Sequence, residues 1–196
     1  KVAFIGGGKM AEAILGGVLA SKLAASNDIS VGEPVAERRE YLSSQFGISV
    51  DADNLKSARE ADLVVFAIKP QDLVTVMAQL KGHLDPQQAA LSIVAGAKMD
   101  TLSHGLGHPS VVRVMPNTPA AIGEGMSVWT VAGSVSDNQR NLVSSLLSAI
   151  GAEYCVDDEE VLDMATAVSG SGPAFVFFFL ESLRFVLQNF QIANFL

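Results

Sequence analysis

The chain opens on four apolar residues, Val2-Ala3-Phe4-Ile5, that run without a spacer into Gly6-Gly7-Gly8-Lys9-Met10-Ala11. Met10, Ile14, Val18 and Leu19, with Ala11 and Leu15, then recur at the three-and-four spacing of an amphipathic helix. No other feature constrains the fold as much. A buried strand that turns at once into a helix calls for a crossover and a parallel neighbour. The loop fits the pattern G-x-G-x-x-A, in which each small residue has a task. Gly6 permits the tight turn, Gly8 lets backbone N–H groups approach a pyrophosphate, and Ala11 lets the helix pack closely on the strand. A plain structural turn is the alternative.

The same switch between periods continues downstream. Ile29-Ser30-Val31-Gly32 reads as a second strand, and Ala36 to Phe46 as a helix stopped by Gly47. Buried strands follow at Leu63 to Ile68, Ala89 to Val94, Val111 to Met115 and Met126 to Val131. Leu73 to Leu80 reads as a helix, as does the stretch through Leu142 to Ile150, with a short strand near Glu153 to Val156. Apolar strands alternating with helices predict an α/β fold, a Rossmann-type mostly parallel sheet with helices on both faces. From Asp158 the pattern is helical only, so residues 1–157 are expected to form the dinucleotide-binding domain and 158–196 the start of a second, helical one.

Ligands of such sheets bind beyond the carboxyl ends of the strands. Three polar interruptions fall there and are expected to share one cleft: Gly6 to Met10, Ala67 to Gln71, and Met115-Pro116-Asn117-Thr118-Pro119. Asn117 and Thr118 offer an amide and a hydroxyl between two prolines, suited to a nicotinamide ring or a small polar substrate; an Asx-turn is the plainer role for Asn117. Lys69 is either a partner for an anion or a solvated loop lysine. At the end of the second strand Glu33 favours a free ribose hydroxyl, whereas Arg38 and Arg39 suit a 2′-phosphate, so the two cues conflict. Farther on, Ser169-Gly170-Ser171-Gly172-Pro173 reads as a polar hinge at which a helix begins. Pro173 suits a first helical position, and its free N–H groups and serines would receive a carboxylate or phosphate.

Composition narrows the partners. The 196 residues carry a net charge of −8 without a cluster of Lys and Arg, which argues against a nucleic-acid backbone. Cys155 is alone, so a disulfide framework is not expected and a reducing cytoplasmic setting is. No signal peptide is visible, and the apolar run Ala174 to Leu180 is too short for a bilayer, which needs about 20 residues. His104 and His108 have the spacing of a helical metal pair, but Gly105 and Gly107 weaken a helix there, and no metal is expected.

Five segments, in order and spacing, resemble the pyrroline-5-carboxylate reductases over residues 1 to about 184: Phe4-Ile5-Gly6-Gly7-Gly8-Lys9-Met10-Ala11, Ala67-Ile68-Lys69-Pro70-Gln71, Ser92-Ile93-Val94-Ala95-Gly96, Arg113-Val114-Met115-Pro116-Asn117-Thr118-Pro119, and Thr166-Ala167-Val168-Ser169-Gly170-Ser171-Gly172-Pro173-Ala174. The last two are the specific ones. The resemblance implies hydride transfer from NADPH or NADH to the cyclic imine of 1-pyrroline-5-carboxylate, giving L-proline. It implies a cofactor site at Gly6, Gly7, Gly8, Lys9, Met10, Ala11, Glu33, Ala67, Ile68, Lys69, Pro70 and Asn117. It implies substrate contacts at Asn117, Thr118, Thr166, Ser169, Ser171 and Gly172, with Lys69, Asn117 and Thr166 nearest the chemistry. A protonated imine is already electrophilic, so little acid–base machinery is needed, and the chain shows no Ser/His/Asp set or paired catalytic carboxylates.

The resemblance also implies an all-α dimerisation domain after residue 158. The family's later helices, and a V-T-S-P-G-G-T-T-like segment that holds the substrate carboxylate, do not follow here; Arg184 to Leu196 read instead as an apolar stub with Phe185, Val186, Phe190, Ile192, Phe195 and Leu196. The cofactor half is therefore expected to be complete and the substrate half not. Another imine or hydroxyacid reductase of the same fold, or a non-catalytic nucleotide-binding module, stays open. Phe175 to Leu180 with Leu183, Phe185 and Leu187 make a helix apolar on nearly every face. The sheet domain is expected to cover one side and a second chain the rest, in a homodimer or larger assembly.

Overall fold

Alternation along the first strand decides the architecture. In β1 (Val2–Ile5), Val2 and Phe4 join one hydrophobic cluster while Ala3 and Ile5 join another, so a single strand feeds a core on each face of the sheet. The computed structural model describes residues 1–189. They include β2 (Ile29–Gly32), β3 (Ser49–Asp51), β4 (Leu63–Phe66), β5 (Ala89–Ser92), β6 (Val111–Met115), β7 (Gly125–Val131) and β8 (Gly151–Cys155). One sheet results, ordered β3-β2-β1-β4-β5-β6-β7-β8. Every neighbouring pair is parallel except β6 with β7. The connection between those two strands holds only a 3₁₀ turn, Thr118–Ile122, which is too short for the crossover that a parallel pair requires.

Buried residues of α1 (Lys9–Ala20), α2 (Ala36–Phe46) and α6 (Asp137–Ser148) belong to the first core, those of α3 (Asn54–Ala58), α4 (Leu73–Leu80) and α5 (Met99–Leu106) to the second. Helices on both faces of a mostly parallel sheet bear out the expected fold class. The period reading missed β3 with α3, and it argued against α5. Gly105 lies inside α5 because a Cβ there would meet Met77 Sδ of α4, and Gly107 closes the helix in the left-handed conformation at φ +63°.

The expected hinge at Ser169 to Pro173 is absent. α7 (Glu160–Ala165) passes through a π turn, Thr166–Gly170, directly into α8 (Gly172–Asn189). Ser171 N donates to Thr166 O at 2.9 Å, the five-residue bond of a π turn, so Pro173 does not head a fresh N-terminus and the anion site expected there is not formed. The expectation that the sheet domain covers one side of the apolar helix is also overturned, since no residue of α8 is buried. The run read as too short for a bilayer belongs to a helix spanning Glu160–Asn189, 30 residues, which by length and composition alone could cross a membrane. Phe190, Ile192, Phe195 and Leu196 lie outside the described residues.

Candidate functional site

The three polar interruptions do converge. Met10 from the first, Ala67 and Ile68 from the second, and Met115 to Thr118 from the third line one cleft of about 270 Å³, joined by Ile93 after β5 and Gly170 of the π turn. The cleft sits beyond the carboxyl ends of β1, β4, β5 and β6.

The glycine loop shows what each small residue is for. At Gly6, with φ +93°, a Cβ would stand 2.7 Å from Ala67 O and 2.8 Å from Ile68 Cγ2. At Gly7 it would overlap Leu42 of α2. Gly8 differs: the nearest atom to its Cβ position is Ala67 O at 4.0 Å, so packing within the chain does not ask for a glycine there. Gly8 also caps α1 without a side-chain acceptor for the first N–H groups. Open space over free N–H donors at a helix start fits a pyrophosphate, and this is the observation by which the chain's residues match a dinucleotide.

Glu33 is neither exposed nor solvated. Only 8% accessible, it accepts Gly7 N at 2.8 Å on Oε2 and Val35 N at 2.9 Å on Oε1, tying the loop to the end of β2. That corrects the alternative reading of Glu33 as a solvated loop carboxylate. Arg39 Nη1 donates to the carbonyls of Glu33 and Pro34 at 3.0 and 2.7 Å. Arg38 donates to Gly7 O from Nε and to Gly8 O and Glu12 Oε2 from Nη2, with its guanidinium 4.9 Å over the Tyr41 ring. Burial raises the Glu12 pKa, but hydrogen bonds from Arg38, Tyr41 and Lys9 outweigh it and hold the carboxyl down to about 2.

Asn117 is a strut. Its Oδ1 accepts Met126 N at 2.9 Å and its Nδ2 donates to Ser169 Oγ at 3.0 Å, binding the loop to β7 on one side and to the π turn on the other. An Asx-turn is thereby set aside. Thr118 is exposed at the cleft. Thr166 Oγ1 donates to Leu162 O at 2.7 Å and Ser171 Oγ to Thr166 O at 3.1 Å, so both hydroxyl protons are directed to their own helix. Lys69 is exposed at the start of the 3₁₀ turn Pro70–Asp72, and no ion pair is formed by it among the described residues. Lys69, Thr166, Ser169, Ser171 and Gly172 flank the cleft without lining it.

Sequence reading quoted Arg113 within a motif and gave it no role. Its side chain, 4% accessible on β6, donates to Glu159 Oε1 at 2.9 Å and to Asp163 Oδ1 at 2.7 Å, and Glu159 Oε1 also accepts Met99 N at 2.8 Å. Arg113 holds the Asp163 carboxyl below the usual carboxylate range. A guanidinium inside an otherwise apolar strand run is the signal that could have marked this lock. No cluster of three metal-binding side chains occurs among the described residues. His104 Nδ1 meets Asp100 O at 2.7 Å and His108 Nε2 meets Gln88 O at 2.8 Å, which uses one ring nitrogen of each.

Comparison with known proteins agrees with this geometry. Residues 1–96 match the family model described as NADP oxidoreductase, coenzyme F420-dependent. The chain is 40% identical to pyrroline-5-carboxylate reductase of Pseudomonas aeruginosa over 93% of its length and 67% of the relative's. It is 38% identical to that of Synechocystis over 93% and 68%. Among solved structures, pyrroline-5-carboxylate reductase from Coxiella burnetii superposes with a TM-score of 0.86 at 31% identity, over 96% of this chain and 70% of that one. The Plasmodium falciparum enzyme with NADP bound does so with a TM-score of 0.85 at 28% identity, over 96% and 70%. Prephenate dehydrogenase of Aquifex aeolicus, at 15% identity and a TM-score of 0.71, shares the fold alone. The chain spans about two thirds of the length of the relatives it matches. At 40% and 38% identity over about two thirds of these relatives' length, and with a matching fold, the chain belongs to the pyrroline-5-carboxylate reductase family.

Proposed function

We propose that this protein reduces the C=N bond of 1-pyrroline-5-carboxylate to L-proline with NADPH or NADH. The convergence of three polar loops on one cleft, beside a glycine whose openness packing does not explain, carries the reading. When bound, the reduced nicotinamide supplies the hydride. The chain's part is to hold and orient. In this reading the loop Gly6, Gly7, Gly8, Lys9, Met10 and Ala11 takes the pyrophosphate on the backbone N–H groups from Gly8 onward, those of Gly6 and Gly7 being given to Gly32 O and Glu33 Oε2. Glu33 steadies that loop from below through Gly7 N. Ala67, Ile68, Lys69 and Pro70 with Asn117 frame the nicotinamide end, and the open face of Thr118 with Thr166, Ser169, Ser171 and Gly172 meets the imine acid. Lys69 contributes positive charge toward the substrate carboxylate. Such positioning supplies most of the acceleration that an electrophilic imine requires.

The domain division at residue 158 belongs to the same proposal, as does a homodimer or larger assembly through α8. A helix bare on every face is stabilised when another surface covers it, and a second copy of the helix offers a matching one. A cytoplasmic setting, without nucleic acid or membrane as partner, completes the reading. An assay of proline formation with each nicotinamide, run beside a nucleotide titration, tests it: turnover of the imine supports the proposal, and tight binding without turnover opposes it.

A further inference from the structure

Arg38 lies where an arginine that reads a 2′-phosphate would be sought, at the start of the helix after β2. Its contacts point elsewhere. Nε donates to Gly7 O, Nη2 donates to Gly8 O at 3.3 Å and to Glu12 Oε2 at 2.6 Å, and the guanidinium rests on Tyr41. Tyr41 in turn donates to Glu12 Oε1 at 2.7 Å, so both carboxylate oxygens are engaged in holding the arginine in place. The side chain of Arg38 is about one fifth accessible, at 21%. A planar guanidinium committed to two carbonyls and a carboxylate in one fork loses that geometry if it swings out to a phosphate.

Grasping those carbonyls has a consequence for the N–H groups. In a trans peptide the C=O and the following N–H point in opposite directions. The peptide that carries Gly7 O carries Gly8 N, and the one that carries Gly8 O carries Lys9 N. By drawing both oxygens toward α2, Arg38 turns the Gly8 and Lys9 N–H groups the other way, to the side where the Gly8 Cβ position is open. Gly8 O additionally accepts Glu12 N at 2.9 Å, which fixes the same peptide from the helix side.

We infer that Arg38 is a positioning residue for the pyrophosphate loop, held by Glu12 and Tyr41, and not the residue that distinguishes NADPH from NADH. The inference rests on the dinucleotide site proposed above and adds how its donors are aimed. An oriented loop serves both nucleotides alike, because the pyrophosphate is common to them. A reader of the 2′-phosphate serves one.

The test compares wild type with Arg38→Gln and Arg38→Lys by fluorescence titration with NADPH and with NADH. Arg38→Gln is expected to weaken both by the same factor, about tenfold, leaving their ratio unchanged. KM for the nucleotide rises while kcat at saturation holds. Arg38→Lys keeps the charge but cannot span two carbonyls, so it restores neither affinity. A loss confined to NADPH and recovered by lysine overturns the inference, as does unchanged binding of both. Amide resonances of Gly8 and Lys9 in the nucleotide-free protein give a readout independent of the reductase reading: they shift in Arg38→Gln, and their constancy would overturn the role. Should Arg38→Gln fail to fold, Glu12→Gln keeps the arginine but releases its holder. It is expected to weaken both nucleotides by one smaller common factor, and unequal factors contradict the inference.

Discussion

The sheet domain and the helical arm answer the same problem in opposite ways. Every residue of β1 and β4 is buried, and the helices on each face close a core of the chain's own making. In α8, Phe175, Phe177 and Phe178 are 69%, 64% and 71% accessible, although its run from Ala174 to Leu180 is wholly apolar. The contrast separates what each region needs. A sheet that finds both its covers within the chain can fold unaided, whereas a helix without a packed face draws its stability from outside. Between the two stand a few polar tethers, chiefly Arg113 to Glu159 and Asp163, and Asn117 to Ser169.

If the arm is an assembly element, Phe178→Asp combined with Leu183→Asp has the largest consequence, dissociation to monomers. Sedimentation should show a dimer or larger species for wild type and a monomer for the variant, with the thermal midpoint of the sheet domain unmoved. A wild type that stays monomeric at micromolar concentration, or that partitions onto lipid vesicles, would break this side of the comparison.

Arg113 tests the joint. Arg113→Met removes a buried guanidinium and both its ion pairs, and because the carboxylates left behind reach solvent the expected cost in denaturant unfolding is about 1–2 kcal/mol. Because the lock orients the arm, KM for the imine should rise while nucleotide affinity is preserved. A fall in nucleotide affinity alone would place Arg113 in the service of the sheet domain.

Within that domain, Gly8→Val should weaken dinucleotide binding about a hundredfold, roughly 2.7 kcal/mol. Its backbone, at φ −69°, accepts a side chain and the Cβ meets nothing nearer than 4.0 Å, so melting should be unchanged. Unaltered affinity in a fluorescence titration would remove the pyrophosphate from this loop.

A further effect is one of pH. Glu12 has its pKa lowered from 4.5 to about 2 in the folded chain. Its contribution is therefore fully present above 4.5 and is lost as pH falls toward 2, about 2 kcal/mol after allowance for partial exposure. Unfolding followed from pH 5 to pH 2 should be less acid-sensitive in Glu12→Gln; matching slopes in the two proteins would mean that the clasp with Arg38 is not formed in solution.

How far the sequence was legible follows from the same physics. Val2 to Ala11 could be read because the period changes abruptly from a buried strand to a helix and three glycines mark the change. The strand Ser49–Asp51 and the five-residue helix after it were not, being too short and too exposed to show a period, though Asp53 with its caps on Leu55 N and Lys56 N was a start signal of the usual kind. Gly105 was taken for a breaker when it serves helix-to-helix approach. Ser169 to Pro173 carries the residues of a hinge, yet a π turn absorbs them, since Thr166 O accepts from both Ser171 N and Ser171 Oγ. Glu33, Asn117 and Arg113 were visible as polar residues at strand ends or within a strand. Which partners they take is a long-range fact that no local pattern contains, and it made struts of residues first read as ligand contacts or given no role.

The most direct test is to mix the protein with 1-pyrroline-5-carboxylate and, separately, NADPH and NADH, following nicotinamide oxidation and proline together. The account predicts oxidation dependent on the imine, with one proline formed per nucleotide consumed. Nucleotide that binds but is not oxidised, or oxidation with a 2-oxoacid and not with the imine, would contradict it.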